Sequence, residues 1–230
     1  MIASPPILDD LETVLTTTRA VRRRLDFDRP VPRETIVECL HIALQAPTGG
    51  NAEDWRFVAI DDAEVRAQVA ALYRDCFDEY VRKPLEAAGQ DAPEVQGRLG
   101  VSESTARVLA GAAYLAANIH RAPWLVLACA TRPNPEHDPL AAGTTAAVYG
   151  SVFPAVWSFC LALRARGLGS IITTLTQNRP DDLAAILGIP EGTTQCCLLP
   201  VAYTLGSDFK PAPRRPLDEV VFWNRWSSGG

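Results

Sequence analysis

The sequence has no excess of basic charge: 22 Lys and Arg stand against 27 Asp and Glu, a formal net charge of −5. Because phosphate backbones favour basic surfaces, this balance argues against a nucleic-acid-binding protein. The first ten residues lack the positive region and the apolar core of a signal peptide. No stretch is expected to approach the roughly 18 consecutive apolar residues of a membrane span. These absences predict a cytoplasmic protein without a membrane segment.

Several catalytic motifs are also absent. The chain has no glycine-rich dinucleotide or Walker motif, no Gly-x-Ser-x-Gly and no His-Glu-x-x-His. Its histidines, His41, His120 and His137, have no carboxylate or cysteine at ligand spacing, so no metal site is predicted. The six cysteines form no Cys-x-x-Cys pair and mostly lie in apolar runs, which predicts reduced core thiols. The adjacent Cys196 and Cys197 could instead be redox-active, although neighbouring strand residues face opposite sides of a sheet.

What the chain does have is the length and composition of one generous domain, with 230 residues of which 47% are hydrophobic. Helical and strand patterns interleave, which predicts a single α+β or α/β domain. Helices are predicted at residues 9–18, 32–46, 62–82, 103–120, 144–166 and 180–187. Strands are predicted at residues 56–60, 124–130, 170–174 and 195–205. Residues 83–102 are expected to form a mobile excursion, and residues 131–143 a loop.

Six arginines lie within fifteen residues of this acidic chain: Arg19, Arg22, Arg23, Arg24, Arg29 and Arg33. They can be solvated surface cations, some of them favourable at a helix C-terminus. They can also form an anion site, because the guanidinium fork matches the oxygens of a phosphate. Charge alone favours the first interpretation and leaves the second open.

A second feature is the segment Ala-Pro-Thr-Gly-Gly-Asn-Ala-Glu-Asp-Trp-Arg-Phe at residues 46–57. Its two glycines let the backbone approach a ligand closely, and Asn51 offers both a donor and an acceptor. Taken alone, the segment could equally be a helix–strand turn anchored by Trp55.

Together these features resemble the nitroreductase family of FMN-dependent oxidoreductases. The resemblance continues in Gly-Leu-Gly-Ser at 167–170, in Leu-Gly-Ile-Pro at 187–190 and in the closing segment at 210–221, so it covers nearly the whole chain. It implies an α+β three-layer fold, with a central, mostly antiparallel sheet surrounded by helices. It also implies an intertwined homodimer with FMN at each of two subunit interfaces. Residues 1–230 would form one FMN-binding domain, with 83–102 over the active site and 210–230 packing on the partner subunit.

The resemblance also implies which residues bind the phosphate and the pyrimidine edge of the flavin. The family's Arg-Arg-Ser-x-Arg motif falls on residues 18–22, so Arg19, Ala20 and Arg22 are expected at the cofactor, with Arg23 adjacent. Thr18 and Ala20 depart from this motif, which removes one cation and one hydroxyl. The family's carboxy-terminal phosphate-binding arginine falls on Arg214.

Two further segments are implied to reach the flavin. The asparagine loop of the family places Pro47, Thr48 and Asn51 at the cofactor. Backbone amides near Thr173, Thr174 and Leu175 would face flavin N5, and no catalytic side chain is expected because the flavin carries the chemistry. Glu53 and Asp54 replace the family's Gln-Pro, and neither is expected to contact flavin O2, since an ionised carboxylate only accepts hydrogen bonds.

The implied function is transfer of hydride from NAD(P)H through FMN to an electron-poor small molecule, such as a nitroaromatic or a quinone, by a ping-pong mechanism. Phe77, Tyr80 and Tyr114 are candidate substrate-pocket residues, although ordinary packing explains them equally well. Dehalogenases, dehydrogenating oxidases and flavin-fragmenting enzymes of the same fold are alternatives. So are a flavin-binding protein without turnover and a cofactor-free domain whose arginines lie on the surface.

Overall fold

The computed structural model describes residues 10–83, 103–131 and 141–226. Within them, five strands form one antiparallel sheet: β1 (Leu25–Asp26), β2 (Trp55–Ile60), β3 (Trp124–Ala130), β4 (Leu168–Ser170) and β5 (Thr194–Thr204). The strand order is β1-β5-β3-β2, and β4 also pairs with β5. Strands β3 and β5 lie at the centre, and β3 is buried along its whole length. Their long apolar runs are typical of strands covered on both faces.

Six α-helices occur in the same residues: α1 (Leu11–Thr17), α2 (Arg33–Ala43), α3 (Ala63–Phe77), α4 (Glu103–Asn118), α5 (Ala141–Ala165) and α6 (Pro180–Leu187). A π-helical turn at Asp78–Arg82 extends α3, and a 3-10 turn at Leu175–Asn178 precedes α6. Asp10 and Asp62 cap α1 and α3 by accepting backbone N–H groups of the first turn. Helix α6 begins at a proline and ends at Gly188, whose φ of 64° is the left-handed C-cap conformation.

The sheet divides the core into two apolar layers, because successive strand residues face opposite sides. On one face, Val126 and Leu199 pack in a cluster with Phe159 and Leu163 of α5 and Ile36 of α2. The other face joins β3 and β5 to the buried sides of α3 and α4, through Leu127, Leu198, Val69, Leu72 and Leu115. Helices therefore cover both faces of an antiparallel sheet. This arrangement confirms the predicted three-layer α+β fold.

Most of the predicted elements are present with ends shifted by up to three residues, when the π-helical turn at Asp78–Arg82 is counted with α3. The strand predicted at residues 170–174 is wrong, because β4 spans Leu168–Ser170. Beyond it, Thr173 makes only an isolated bridge with Leu198 before the 3-10 turn begins. The two-residue strand β1 was not predicted. Residues 84–102 of the predicted excursion and residues 132–140 of the predicted loop lie outside the described residues.

Helix α5 corrects the expectation that no stretch approaches a membrane span. Its residues Gly143–Ala165 are long and apolar enough to cross a membrane by length and composition alone. Half of the most apolar window is buried inside the fold, where Val152, Phe159 and Leu163 are inaccessible. A core helix of a soluble protein meets the same criteria, so this one helix gives only weak support for a membrane segment.

All six cysteines are buried and free, as predicted for core thiols. Burial raises the pKa of Cys129, Cys160 and Cys196 to about 12, so these thiols stay protonated at neutral pH. The tail beyond Lys210 is different. Its Trp223 and Trp226 side chains are 82% and 84% exposed on this single chain. That exposure leaves the predicted packing on a partner subunit as a prediction.

Candidate functional site

The arginine segment lies along strand β4. Ala20 forms a parallel bridge with Ser170, and the N–H of Val21 donates to the Ser170 carbonyl oxygen at 2.9 Å. A Cβ atom at Gly169 would lie 2.7 Å from Thr204 Cγ2 and 3.0 Å from Val21 Cγ2. Only a glycine at this position lets the segment approach the sheet so closely without displacing a side chain.

Three cavities adjoin this segment, and all three are lined by Arg22. The first, of about 190 Å³, lies between residues 17–22, the C-terminal half of α5 and β4. The second, of about 290 Å³, lies between residues 19–24, α4 and Phe209. The third, of about 340 Å³, lies between α3 and residues 171–175. The fold therefore gathers distant parts of the chain around one guanidinium group.

Three of the arginines that line these cavities, Arg19, Arg22 and Arg23, lack opposite charges, whereas Arg24 pairs with Asp208. Among the described residues, no carboxylate pairs with Arg19, Arg22 or Arg23. Arg19 Nη1 donates to the carbonyl oxygen of Lys210 at 3.2 Å, and Arg23 lies 6.0 Å from the ring centroid of Tyr114. Arg22 is half-buried, its Nε has no acceptor, and burial lowers its pKa. A half-buried guanidinium group without a counter-charge, flanked by two exposed ones, favours the binding of an anion.

Residues 171–175 form the wall of the third cavity. The N–H of Thr173 donates to the Leu198 carbonyl oxygen at 3.0 Å, and the N–H of Leu198 donates back at 2.8 Å. The Tyr73 hydroxyl, on buried α3, lies 3.2 Å from Thr173 Oγ1. Burial raises the pKa of Tyr73, while the Thr173 hydrogen bond and Arg22 act in the opposite direction. Since Thr173 uses its N–H internally, the amides of Thr174 and Leu175 are the ones that have no acceptor in the described part of the chain.

The predicted asparagine loop lies elsewhere on the chain. The N–H of Gly49 donates to Ser151 Oγ on α5 at 3.1 Å, and Thr48 Oγ1 accepts from the N–H of Glu53 at 3.2 Å. Pro47 and Asn51 are exposed, and Asn51 has a φ of 53°. None of these residues lines the three arginine cavities. One chain alone does not bring this loop and the arginines together.

Of the other predicted site residues, some lie near the Arg22 cavities and others do not. Phe77 lines the third cavity together with Thr173 and Thr174. Tyr80 is exposed on the π-helical turn, and Tyr114 is half-buried below Arg23. Arg214 is exposed in the tail, with Nη1 3.4 Å from the Pro213 carbonyl oxygen, and it does not line a described cavity near Arg22.

The model of the nitroreductase family matches residues 15–203. The chain belongs to the nitroreductase family. This assignment confirms the resemblance that the sequence motifs predicted, and the matched residues run from within α1 to within β5.

Individual members of the nitroreductase family match this chain over most of their length. An iodotyrosine deiodinase of Thermotoga neapolitana is 27% identical over 208 residues, which cover 90% of this chain and 94% of that protein. An NADH dehydrogenase of Thermus thermophilus is 30% identical over 236 residues, covering 97% of this chain and 100% of that protein. The FMN-dependent nitroreductase NfnB of Mycobacterium smegmatis, solved with NADPH, has a TM-score of 0.64 at 20% identity. The match covers 93% of this chain and 97% of that chain.

Two residues of this nitroreductase-family chain line the first cavity but were not predicted from the sequence as site residues. Arg164, near the end of α5, and Ser170, the last residue of β4, both line the first cavity and are 5% and 7% exposed. Arg164 Nε and Ser170 Oγ have no hydrogen-bond partner. The signal for Arg164 in the sequence was an arginine inside an otherwise apolar helix, and Ser170 was noted as the end of the Gly-Leu-Gly-Ser motif without a role in binding.

Proposed function

We propose that this protein is an FMN-dependent oxidoreductase that takes hydride from NAD(P)H and passes it to an electron-poor small molecule. A nitroaromatic or a quinone has the required chemistry. The observation that carries the proposal is that Arg19, Arg22 and Arg23 line these cavities and have no carboxylate partner among the described residues. The phosphate of FMN is an anion of the kind that such a site favours. The flavin expected from the sequence also agrees with the FMN-dependent members of the family.

Different residues around Arg22 would bind different parts of FMN. Arg19, Arg22 and Arg23 would hold the phosphate and the pyrimidine edge, and Ala20 would lie beside them. When bound, FMN supplies a ring that accepts and returns hydride. The Arg22 guanidinium would stabilise negative charge near it, and the free amides of Thr174 and Leu175 would donate hydrogen bonds. This arrangement needs no acid–base dyad from the protein.

A second copy of the chain would complete the site. Pro47, Thr48 and Asn51 lie away from the arginine cavities in one chain, so we propose that the partner subunit contributes them. Apolar side chains exposed on α1, α2, α5 and the tail would be covered in such an intertwined homodimer: Leu11, Leu15, Val37, Ile42, Trp157, Trp223 and Trp226. The tail would bring Arg214 to the phosphate. We also propose that residues 1–230 act as one cytoplasmic domain.

The experiment that tests this function is an absorption spectrum of the purified protein, before and after anaerobic addition of NADH or NADPH. Flavin absorption that bleaches with either nucleotide and returns with a nitroaromatic or a quinone supports the proposal. Protein that stays colourless after incubation with excess FMN contradicts it. Light scattering after size exclusion tests the homodimer, and Arg214→Ala should retain less FMN after dialysis than the unaltered protein.

A second candidate is reductive dehalogenation of a halogenated aromatic compound. It is favoured by the match to the iodotyrosine deiodinase of Thermotoga neapolitana over 90% of this chain. In this reaction two electrons from a reductant and one proton replace the carbon–halogen bond by carbon–hydrogen, and the halide leaves. Release of iodide from 3-iodo-L-tyrosine by the dithionite-reduced protein, without bleaching by NADH or NADPH, would favour this candidate over the first.

A further inference from the structure

Arg164 is a buried cation for which the described residues provide no counter-charge. It is 5% exposed, near the C-terminal end of α5. Its Nη2 donates to Thr17 Oγ1 at 3.1 Å and to the Ser207 carbonyl oxygen at 3.2 Å, and its guanidinium lies 4.9 Å from the Phe209 ring centroid. Burial and the nearby charge of Arg24 both lower its pKa. A buried charge of this kind is costly unless an opposite charge joins it.

Ser170 gives an independent observation in the same cavity. Its side chain is 7% exposed and its hydroxyl oxygen has no hydrogen-bond partner. Its carbonyl oxygen accepts from the N–H of Val21, and Ser170 lies opposite Val201 in the pairing of β4 with β5. An unpaired buried hydroxyl costs free energy, so a ligand atom that bonds to it would be favoured. Arg164, Arg22 and Ser170 thus line one cavity of about 190 Å³, and in each of them a buried polar side-chain atom, Nε or Oγ, has no partner.

The positions of Arg164 and Ser170 match the two departures in the arginine motif. Thr18 stands where the motif has a cation, and Arg164 contacts the preceding residue, Thr17. Ala20 stands where the motif has a hydroxyl, and it is the bridge partner of Ser170. The missing groups are therefore present beside the motif, on different elements of the fold.

We propose that Arg164 and Ser170 bind the phosphate group of FMN, together with Arg19. This inference rests on the proposed function. A phosphate dianion accepts several hydrogen bonds, whereas Arg164 Nε–H and the Ser170 hydroxyl are donors that lack an acceptor. The guanidinium on α5 takes the role of the cation missing at residue 18, and the hydroxyl on β4 takes that of the serine missing at residue 20.

The test compares FMN with riboflavin, which has the same ring and chain but no phosphate. Dissociation constants of both flavins are measured by titration of the apoprotein, monitored by flavin fluorescence. Arg164→Gln should weaken FMN binding by about 10- to 100-fold, since a lost charge-assisted contact costs roughly one to two factors of ten. Ser170→Ala should weaken it several-fold. Neither variant should change the dissociation constant of riboflavin.

Arg166→Gln is the matched control. It removes a guanidinium two residues away on the same chain, but Arg166 pairs with Glu38 at 3.2 Å and does not line the cavity. Its affinities for FMN and riboflavin should stay unchanged. Arg164→Lys keeps the charge and should recover part of the FMN affinity. Inorganic phosphate should raise the melting temperature of the unaltered apoprotein but not that of Arg164→Gln.

Several results would overturn the inference. Equal losses of FMN and riboflavin affinity would make Arg164 a purely structural residue. Unchanged FMN affinity in both Arg164→Gln and Ser170→Ala would place the phosphate elsewhere. Weaker self-association with unchanged flavin binding would identify a carboxylate of a second copy as the partner of Arg164. If Arg164→Gln does not fold, Ser170→Ala and Arg164→Lys test the inference instead, through the change in the dissociation constant of FMN compared with that of riboflavin. An unaltered protein that binds neither flavin would instead contradict the proposed function itself.

Discussion

Two arginine-lined cavities of this molecule differ in how their charges are satisfied. The cavity around Arg33, of about 400 Å³, is also lined by Arg66 and Arg121. There Arg33 pairs with Asp61 at 2.6 Å, and Arg121 pairs with Asp28 at 2.8 Å. Arg66 donates to backbone carbonyl oxygens, although its Nε has no partner. Around Arg22, by contrast, no carboxylate among the described residues pairs with Arg19, Arg22, Arg23 or Arg164, and Arg24 pairs with Asp208.

This difference shows that the number of arginines and the size of a cavity do not identify an anion site. The larger cavity has internal counter-charges and needs no ligand. The six arginines of the sequence cluster divide in a similar way. Arg24 pairs with Asp208 and Arg33 with Asp61, while Arg29 has no carboxylate partner among the described residues but stacks 3.6 Å from the ring centroid of Tyr203 and lines none of the Arg22 cavities. The surface interpretation therefore suits these three, and the anion-site interpretation suits the remaining three.

The largest expected effect comes from the arginine at the centre of the comparison. Arg22→Gln should weaken FMN binding by about 100-fold, because it removes a partly buried charge that lines all three cavities. Arg33→Gln should leave FMN affinity unchanged. Fluorescence titration of both apoproteins measures the difference. Equal losses of FMN affinity in the two variants would show that pairing with a carboxylate does not determine which arginines bind FMN.

The next largest effect is on stability and concerns Gly169 of β4, the strand against which the arginine segment packs. Gly169→Val would place its Cβ 2.7 Å from Thr204 Cγ2, and overpacking of this kind costs about 1–3 kcal/mol of unfolding free energy. Gly150→Ala is the control, because a Cβ there meets no atom within 4 Å and alanine favours the helix. Urea unfolding compares the two. A Gly169→Val protein as stable as the unaltered one would show that the segment can move away from β4.

Local sequence patterns were sufficient to predict most of the helices and strands of this fold. Helix α6 has a proline at its start and a glycine at its end, and β3 is an unbroken apolar run, so both were predicted with correct bounds. Strand β1 has only two residues and depends on pairing with the far end of β5. Residues 171–174 are β-rich in composition, but the chain leaves the sheet after Ser170. In both cases distant contacts decided the structure, and no local pattern records them.

The candidate site was predictable only where a motif is continuous in sequence. Arg19 and Arg22 were found because they share one short motif with the family. Arg164 and Ser170 reach the same cavity from α5 and β4, and only the folded chain places them beside residues 17 and 20. The sequence also did not show which arginines pair with a carboxylate, since Asp208 lies 184 residues from its partner, Arg24.

A smaller effect is expected from the hydroxyl that supports the third cavity. Tyr73→Phe removes the hydrogen bond to Thr173 Oγ1 and should cost about 1 kcal/mol of unfolding free energy. Tyr203→Phe is the control, since it also removes the hydroxyl of a buried tyrosine, and Tyr203 does not line the Arg22 cavities. Urea unfolding measures both. If the two variants lose the same stability, the Tyr73 hydroxyl makes no specific contribution to the wall.

The smallest effect belongs to a paired arginine. The Arg24 guanidinium, 2.5 Å from Asp208, is the main cause that holds the pKa of this exposed carboxyl below its ordinary value of 3.8. A carboxyl with a lowered pKa contributes stability above the pKa of the unfolded chain, and the contribution disappears as the pH falls through the folded-state pKa. Asp208→Asn should therefore lower the melting temperature by only about 1 °C at pH 7, because exposed ion pairs contribute little. As the pH falls through the folded-state pKa of Asp208, the difference in melting temperature should decrease, and in 1 M salt the difference at pH 7 should shrink. A difference that does not decrease with falling pH would mean that Asp208 acts through packing, whereas a loss of FMN affinity would mean that the counter-charged arginines also serve the anion site.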